Sequence, residues 1–353
     1  MSMDAYKHLA EHLDALPGGF PATENNSELS LLAKLFTPEE AELAAHLTSE
    51  LETVEEIAER TGQEASSLRA PLKSMARRGL IGVARKDGAL GFKSLPYIVG
   101  FFENQVHTMD AELAHLAEDY FHSGFAKMLS VEPQFHRVVP AHETVHTSVE
   151  VQPFESAAEL VYSMQAWGVQ ECVCRKQAAL AGKVCPHPVD VCLAMDSQPN
   201  SFDGLPGWRA LSRDEAMATL RRASEAGLVH TVTNSEEGVT YICNCCTCGC
   251  GLLRSMAELG IANVVARSPF VNRVDEDLCT GCEDCIGACQ FDALAMDGTI
   301  ARVDHDGCVG CGVCAFRCAA DALVLVRRPM EEVKPIPATP ADWSRQRLAA
   351  RGL

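Results

Sequence analysis

The chain has 353 residues, 47% of them hydrophobic and 6% aromatic, and 48 aspartates and glutamates against 30 lysines and arginines give it a formal net charge of −18. That length holds two or three domains with cores of their own, and the charge excludes a general binder of nucleic acid or anionic membrane while favouring basic protein partners. The most apolar short stretch, LPYIVGFF at 95–102, is far too short to span a bilayer, and no signal-peptide pattern opens the chain. The expected location is cytoplasmic, where 17 cysteines serve as metal ligands or redox groups rather than as a disulfide framework.

The fold class expected is α+β and multidomain. In the first segment, residues 1–100, TPEEAELAAHL is a short helix capped by Thr37 with Pro38 at its first position. TVEEIAERTGQEASSLRAPLKSMARRGLIGVARKDGALGFK then reads as a helix, a turn at Gly62, a second helix and two strands around Asp87-Gly88. Over residues 30–95 this resembles a winged helix–turn–helix of the kind found in bacterial regulators. On its second helix Leu68, Leu72 and Met75 form a buried stripe, beside a basic stripe of Arg69, Lys73 and Arg77 with Arg78 adjacent, where a DNA reader places its contacts. Residues 1–100 nonetheless hold 10 basic and 15 acidic side chains, the wrong sign for a DNA reader. Docking, or homodimerisation through this domain, is the expected role. Apolar residues at 102, 106, 109, 113, 116 and 120 then predict one long linking helix within 101–130.

At 142–146 the sequence reads HETVH. His-Glu-x-x-His chelates zinc only on a helix, where residues four apart share a face. Its surroundings are rich in Val and Thr and fenced by Pro140 and Pro153, which reads as strand and sets the two histidines about 13 Å apart. The match is a false one.

Residues 131–270 read as a cysteine-rich α/β domain, with a helix at 155–167, strands near 148–152, 169–174, 228–233, 239–245 and 263–266, a capping box in SRDE at 212–215, and Gly227 closing that helix. Nine cysteines fall here, Cys172, Cys174, Cys185, Cys192, Cys243, Cys245, Cys246, Cys248 and Cys250, and all are candidate metal ligands. Cys172 and Cys174 are expected on a strand or its end, about 6.6 Å apart on one face. In CNCCTCGC an extended backbone puts Cys243 and Cys245 on one face and Cys246 and Cys248 on the other. One or two further iron–sulfur clusters are expected from these nine, with structural zinc or metal-free redox thiols as alternatives. His187 is either a non-thiolate ligand or a hydrogen-bonding loop residue, and Arg175 either balances a cluster's negative charge or is simply exposed. Residues 150–270 loosely resemble proteins of anaerobic bacteria and archaea that join Cys-x-Cys-Arg and Cys-Asn-Cys-Cys segments to a dicluster ferredoxin.

Cysteine spacing is most regular at 271–327. Cys279-x2-Cys282-x2-Cys285-x3-Cys289 recurs 29 residues later as Cys308-x2-Cys311-x2-Cys314-x3-Cys318, and the following CQFDALAM recurs as CAADALVL. This resembles the bacterial-type ferredoxins with two [4Fe–4S] clusters. The resemblance implies that Cys279, Cys282, Cys285 and Cys318 hold one cluster and Cys308, Cys311, Cys314 and Cys289 the other. Gln290 and Ala319 stand where family members commonly have proline. Residues 273–328 carry 10 acidic against 5 basic side chains, which suits a basic redox partner protein. The proline-rich 328–353 ends in a short helix and reads as a docking tail.

The function expected is electron transfer, as an oxidoreductase component, between the two ferredoxin clusters and the cysteine-rich centre. A redox-sensing winged-helix regulator and a reductase with an open-site cluster are the alternatives. No dinucleotide or phosphate loop is present in the sequence.

Overall fold

The computed structural model describes residues 2–140 and 152–353. Helix and sheet are mixed, and the chain divides into two compact units: residues 1–128 with 176–183 and 347–353, and residues 129–175 with 184–346. The HETVH stretch, and nearly all of the strand expected at 148–152, lie outside the described residues. Among the described residues no helix is long and apolar enough to cross a membrane.

The first unit runs through α1 (Ser2–Asp14), α2 (Ser27–Leu35), α3 (Pro38–Ala45), β1 (Glu52–Thr53), α4 (Val54–Thr61), α5 (Ala65–Arg77), the hairpin β2 (Gly82–Lys86) and β3 (Ala89–Lys93), and α6 (Ala111–Ser123). Capping boxes start α3 and α4: Thr37 and Thr53 each accept from the backbone N–H three residues on, and Glu40 and Glu56 reach back to the cap's own N–H. Asp87 and Gly88 both have positive φ, 50° and 84°, as a two-residue hairpin turn requires. The strands pair in the order β1-β3-β2, and α5 buries Leu68, Leu72 and Met75. Arg69 of the basic stripe is committed within the unit to Glu55, and the adjacent Arg78 to Glu40 and to the Leu35 carbonyl. The single linking helix is not formed. A 3-10 turn at Glu103–His107 gives way to α6, and Asp110 caps that second helix by accepting from the Leu113 N–H at 2.8 Å. The apolar spacing was that of two short helices sharing one buried face.

In the second unit come β4 (His136–Val138), α7 (Ala157–Tyr162), β5 (Ala166–Gln170), α8 (Val173–Leu180, whose later turns belong to the first unit), β6 (Cys192–Asp196), β7 (Arg209–Leu211), α9 (Arg213–Glu225), β8 (Val229–Thr233), β9 (Tyr241–Cys245), α10 (Gly251–Leu259) and β10 (Val265–Ala266). The described strands form a seven-stranded sheet, β10-β4-β8-β9-β6-β5-β7, antiparallel except for β10 against β4. Ser212 and Glu215 form the expected capping box on α9. Its C-terminus closes with Gly227 at φ 78° and the bonds Gly227 N–H to Ser224 O and Leu228 N–H to Ala223 O, the Schellman arrangement.

Helices α7 and α9 pack Val161, Ala216 and Leu220 against Val169, Leu193, Val232 and Ile242 of the sheet. Because side chains alternate along a strand, the residues between these face the other way: Cys243 and Cys245 on β9, Cys192 on β6 and Thr231 on β8. One face of the sheet is apolar core, and at β6 and β9 the other face carries thiols. Two boundaries differ from expectation. The helix at 155–167 stops at Tyr162, because Trp167 already belongs to β5, paired with Met195 and Leu211. Cys172 and Cys174 are not on that strand, which ends at Gln170; Cys172 bonds through its N–H to the Val189 carbonyl, and Cys174 lies in the first turn of α8.

The same unit holds β11 (Phe270–Val274) paired with β14 (Leu323–Arg327), the hairpin β12 (Leu294–Asp297) and β13 (Ile300–Val303), and the short helices α11 (Asp284–Ala288) and α12 (Val313–Arg317). The tail ends in α13 (Pro340–Ala350). Within the second unit Trp343 donates to the Gln134 carbonyl; within the first, the buried Arg347 donates to the carbonyls of Pro17 and Met128.

Candidate metal centres

The two ferredoxin-type repeats form two small cavities. Cys279, Cys282, Cys285 and Cys318 line one, with Met296, Ala301, Ala322 and Leu323. Cys289, Cys308, Cys311 and Cys314 line another, with Asn272, Phe291, Leu294, Val303 and Leu325. In each repeat the first cysteines ride a tight loop, and the fourth, at the end of α11 or α12, is delivered to the other repeat's cavity. Glycine is required in both loops. At Gly281 and Gly310 φ is 70°, and a Cβ would stand 2.6 Å from the Thr299 carbonyl oxygen or 2.2 Å from that of Phe270.

Polar hydrogens point at the sulfurs: Asn272 Nδ2 donates to Cys314 Sγ at 2.6 Å, Ala293 N–H to Cys289 Sγ at 3.4 Å and Ala322 N–H to Cys318 Sγ at 3.3 Å. Burial pushes the Cys311 thiol up to about 12 and raises Cys285, Cys289 and Cys314 as well. Such walls disfavour a bare thiolate and accept one whose charge is shared with iron, and the N–H donors supply what a cluster's sulfurs accept. The donor set fits [4Fe–4S] clusters.

The nine cysteines of the α/β domain separate into two groups. Cys185, Cys246 and Cys248 gather with His187, all four ligand atoms within 4.8 Å of one another. Cys248 Sγ lies 3.1 Å from Cys185 Sγ and 3.3 Å from His187 Nδ1, while Cys185 Sγ lies 3.4 Å from His187 Nδ1 and 3.7 Å from Cys246 Sγ. The other six thiols form a chain of neighbours in which each influences the next, Cys172 beside Cys174, then Cys250, Cys245, Cys243 and Cys192. Neighbouring Cys245 and Cys246 therefore point into different groups. The strand ends at Cys245, and the turn through 247–249 carries Cys250 back to the six-thiol group, a return that strict alternation does not give.

Arg175 lies between the two groups and is buried, with 2% of its surface exposed. Its Nη1 donates to the Asn244 carbonyl at 2.9 Å and reaches Cys246 Sγ at 3.7 Å, while Nε and Nη2 have no hydrogen-bond partner. Gly249 makes room for it, since a Cβ there would stand 2.7 Å from Arg175 Cγ. The alternative of an exposed arginine is excluded. Burial raises the Cys246 thiol, but His187, Cys248 and Arg175 together outweigh it and bring the group down to about 6. Behind the six-thiol group, Thr231 Oγ1 lies 3.4 Å from Cys245 Sγ and 3.1 Å from His136 Nδ1, whose Nε2 meets the Tyr241 hydroxyl at 2.9 Å. Burial lowers His136 to about 4, so the imidazole is neutral in this network at pH 7.

Gln290, noted in the sequence only as a departure from proline, links the ferredoxin repeats to this domain. Its Oε1 accepts from the Thr247 N–H at 2.7 Å, between Cys246 and Cys248, and its Nε2 donates to the Gly227 carbonyl. Val313, beside Cys314, stands 4.0 Å from where a Cβ on Gly227 would lie. The only sequence signal for this bridge was that a proline, which has no such side chain, was missing.

No curated protein matches the chain. Residues 273–295, which hold Cys279, Cys282, Cys285 and Cys289, match the family model of the 4Fe-4S binding domain, and with 17 cysteines in all the chain carries an iron–sulfur domain of the kind used in electron transfer.

Proposed function

We propose that the protein is an electron-transfer component that passes electrons through two [4Fe–4S] clusters to or from a centre in the six-thiol group, Cys172, Cys174, Cys192, Cys243, Cys245 and Cys250. Bound clusters would supply one-electron redox steps. The chain's own residues supply their spacing, their insulation and a direction. All ten acidic residues of 273–328 are exposed, and Glu283 and Asp284 follow the exposed Cys282, so a basic redox partner is drawn to the Cys279, Cys282, Cys285 and Cys318 end. The observation that carries the reading is the Gln290 bridge. It ties the residue after Cys289, which lines the cavity of Cys308, Cys311 and Cys314, to the backbone of the CNCCTCGC run.

Iron and sulfide analysis of anaerobically purified protein is expected to give about 12 iron atoms per chain, two ferredoxin cubanes and one more cluster. Gln290→Ala leaves the Thr247 N–H and Gly227 carbonyl without their partner, at a cost of about 1–3 kcal/mol. It is expected to keep the iron while slowing reoxidation of the middle centre in rapid-mixing EPR. About 8 iron atoms, or unchanged kinetics in the variant, would count against the reading.

A second reading, the redox-sensing regulator, draws on the α4–α5 pair followed by the β2–β3 hairpin, the element order of a winged helix. Arg69 and Arg78 are already paired with carboxylates, so docking or dimerisation is the role we assign to that unit. No salt-resistant, sequence-selective binding to DNA from its own promoter region is expected. Nanomolar specific binding that changes on oxidation would promote the regulator.

A further inference from the structure

We infer that Cys185, His187, Cys246 and Cys248 form a closed mononuclear site for zinc(II), separate in kind from the iron–sulfur centres. A tetrahedral ion with thiolates at about 2.3 Å and an imidazole at about 2.0 Å holds its ligand atoms about 3.5–3.8 Å apart. Four of the six edges here measure 3.1–3.7 Å, and the other two lie within 4.8 Å. A cubane spreads its thiolates over four iron atoms and needs them farther apart. The same chain supplies the comparison: among the described residues, the ferredoxin cysteines form no group of three within 4.8 Å, whereas these four ligands do.

Two independent observations point to an ion. First, Cys185 and His187 lie on an irregular segment between α8 and β6 whose buried apolar anchor is Val191, packed with Cys246 at the segment's end, while nearer the two ligands Val184 is 90% exposed and Val189 42%. Burial of Val191 brings the end of the segment to Cys246; a shared ion accounts for the convergence of the Cys185 sulfur and the His187 imidazole on the sulfurs of Cys246 and Cys248. Second, three thiolates and a neutral imidazole around a divalent cation carry a net charge of −1. The buried Arg175 guanidinium, with two nitrogens lacking partners, lies against Cys246 and balances that charge.

With four protein ligands the site has no open position, so its role is structural. It fixes the turn whose Thr247 N–H meets Gln290, and so holds the CNCCTCGC run in place against the ferredoxin repeats. The assignment stands whether or not the clusters carry electrons.

The test is metal analysis of the full-length protein, purified anaerobically. One zinc per chain is expected in addition to iron. Cys248→Ser and His187→Ala should each lose that zinc with the ferredoxin EPR signals unchanged, and His187→Cys should retain it. Should the variants fail to fold, cobalt(II) exchanged into the intact wild-type chain is expected to give the strong visible bands of a tetrahedral thiolate site. Wild-type protein with iron in place of zinc, a Cys185–Cys248 disulfide seen by mass spectrometry, zinc retained in Cys248→Ser, or octahedral cobalt spectra would each overturn the assignment.

Discussion

Serine in place of Cys289 is expected to remove the same ferredoxin centre as serine in place of Cys311, although Cys289 belongs to the other repeat. The reason is geometric. Cys289 lines the cavity of Cys308, Cys311 and Cys314, while Cys318 lines that of Cys279, Cys282 and Cys285. Each variant of the first pair should lose about four iron atoms and one component of the reduced EPR spectrum; Cys318→Ser and Cys282→Ser should lose the other. Stability should fall with the metal. The cysteines pack with Leu294, Ala301 and Leu323 in one small cluster of buried residues, and a segment of this size buries too little apolar surface to hold itself together without its centres. Thermal unfolding by circular dichroism, run beside the iron assay, checks both parts. If Cys289→Ser instead erases the signal that Cys282→Ser erases, the crossed ligand sets are wrong.

What the sequence disclosed depended on whether residues act through local spacing or through long-range placement. The ferredoxin repeats are local: a three-residue step and a 29-residue period carry the geometry in the chain itself. The α9 capping box and the Asp87-Gly88 hairpin were legible for the same reason. The split of the nine middle cysteines was not, because Cys185 meets Cys246 and Cys248 across about sixty residues, and Cys192 meets Cys243 across a sheet. Period-2 alternation separated Cys243 and Cys245 from Cys246 and Cys248, but it could not see that the strand ends at Cys245 or that Cys250 turns back. The linking helix failed on Asp110: its side chain favours a cap over a continuous helix, and the apolar positions keep their face through such a break.

The opening of that turn is where the two kinds of centre can be separated by single atoms. Cys245 and Cys246 are neighbours in the chain, yet Cys245 touches Cys243, Cys250 and Thr231 while Cys246 touches His187, Cys248, Cys185 and Arg175. Oxygen replaces sulfur in either serine variant with little change of volume, so any loss reports on ligation rather than on packing. Cys246→Ser is expected to lose zinc and keep its iron. Cys245→Ser should keep zinc, lose about four iron atoms and stop electron flow beyond the ferredoxin repeats, whose own EPR signals persist in both variants. The buried Arg175 gives a further contrast, since removing a thiolate beside it leaves its charge less compensated; Cys246→Ser should therefore unfold at a lower temperature than its intact iron content would imply. Equal loss of both metals in both variants would mean that the nine cysteines act as one centre. Full metal content and full electron throughput in both would mean that the CNCCTCGC run has no part in the chemistry.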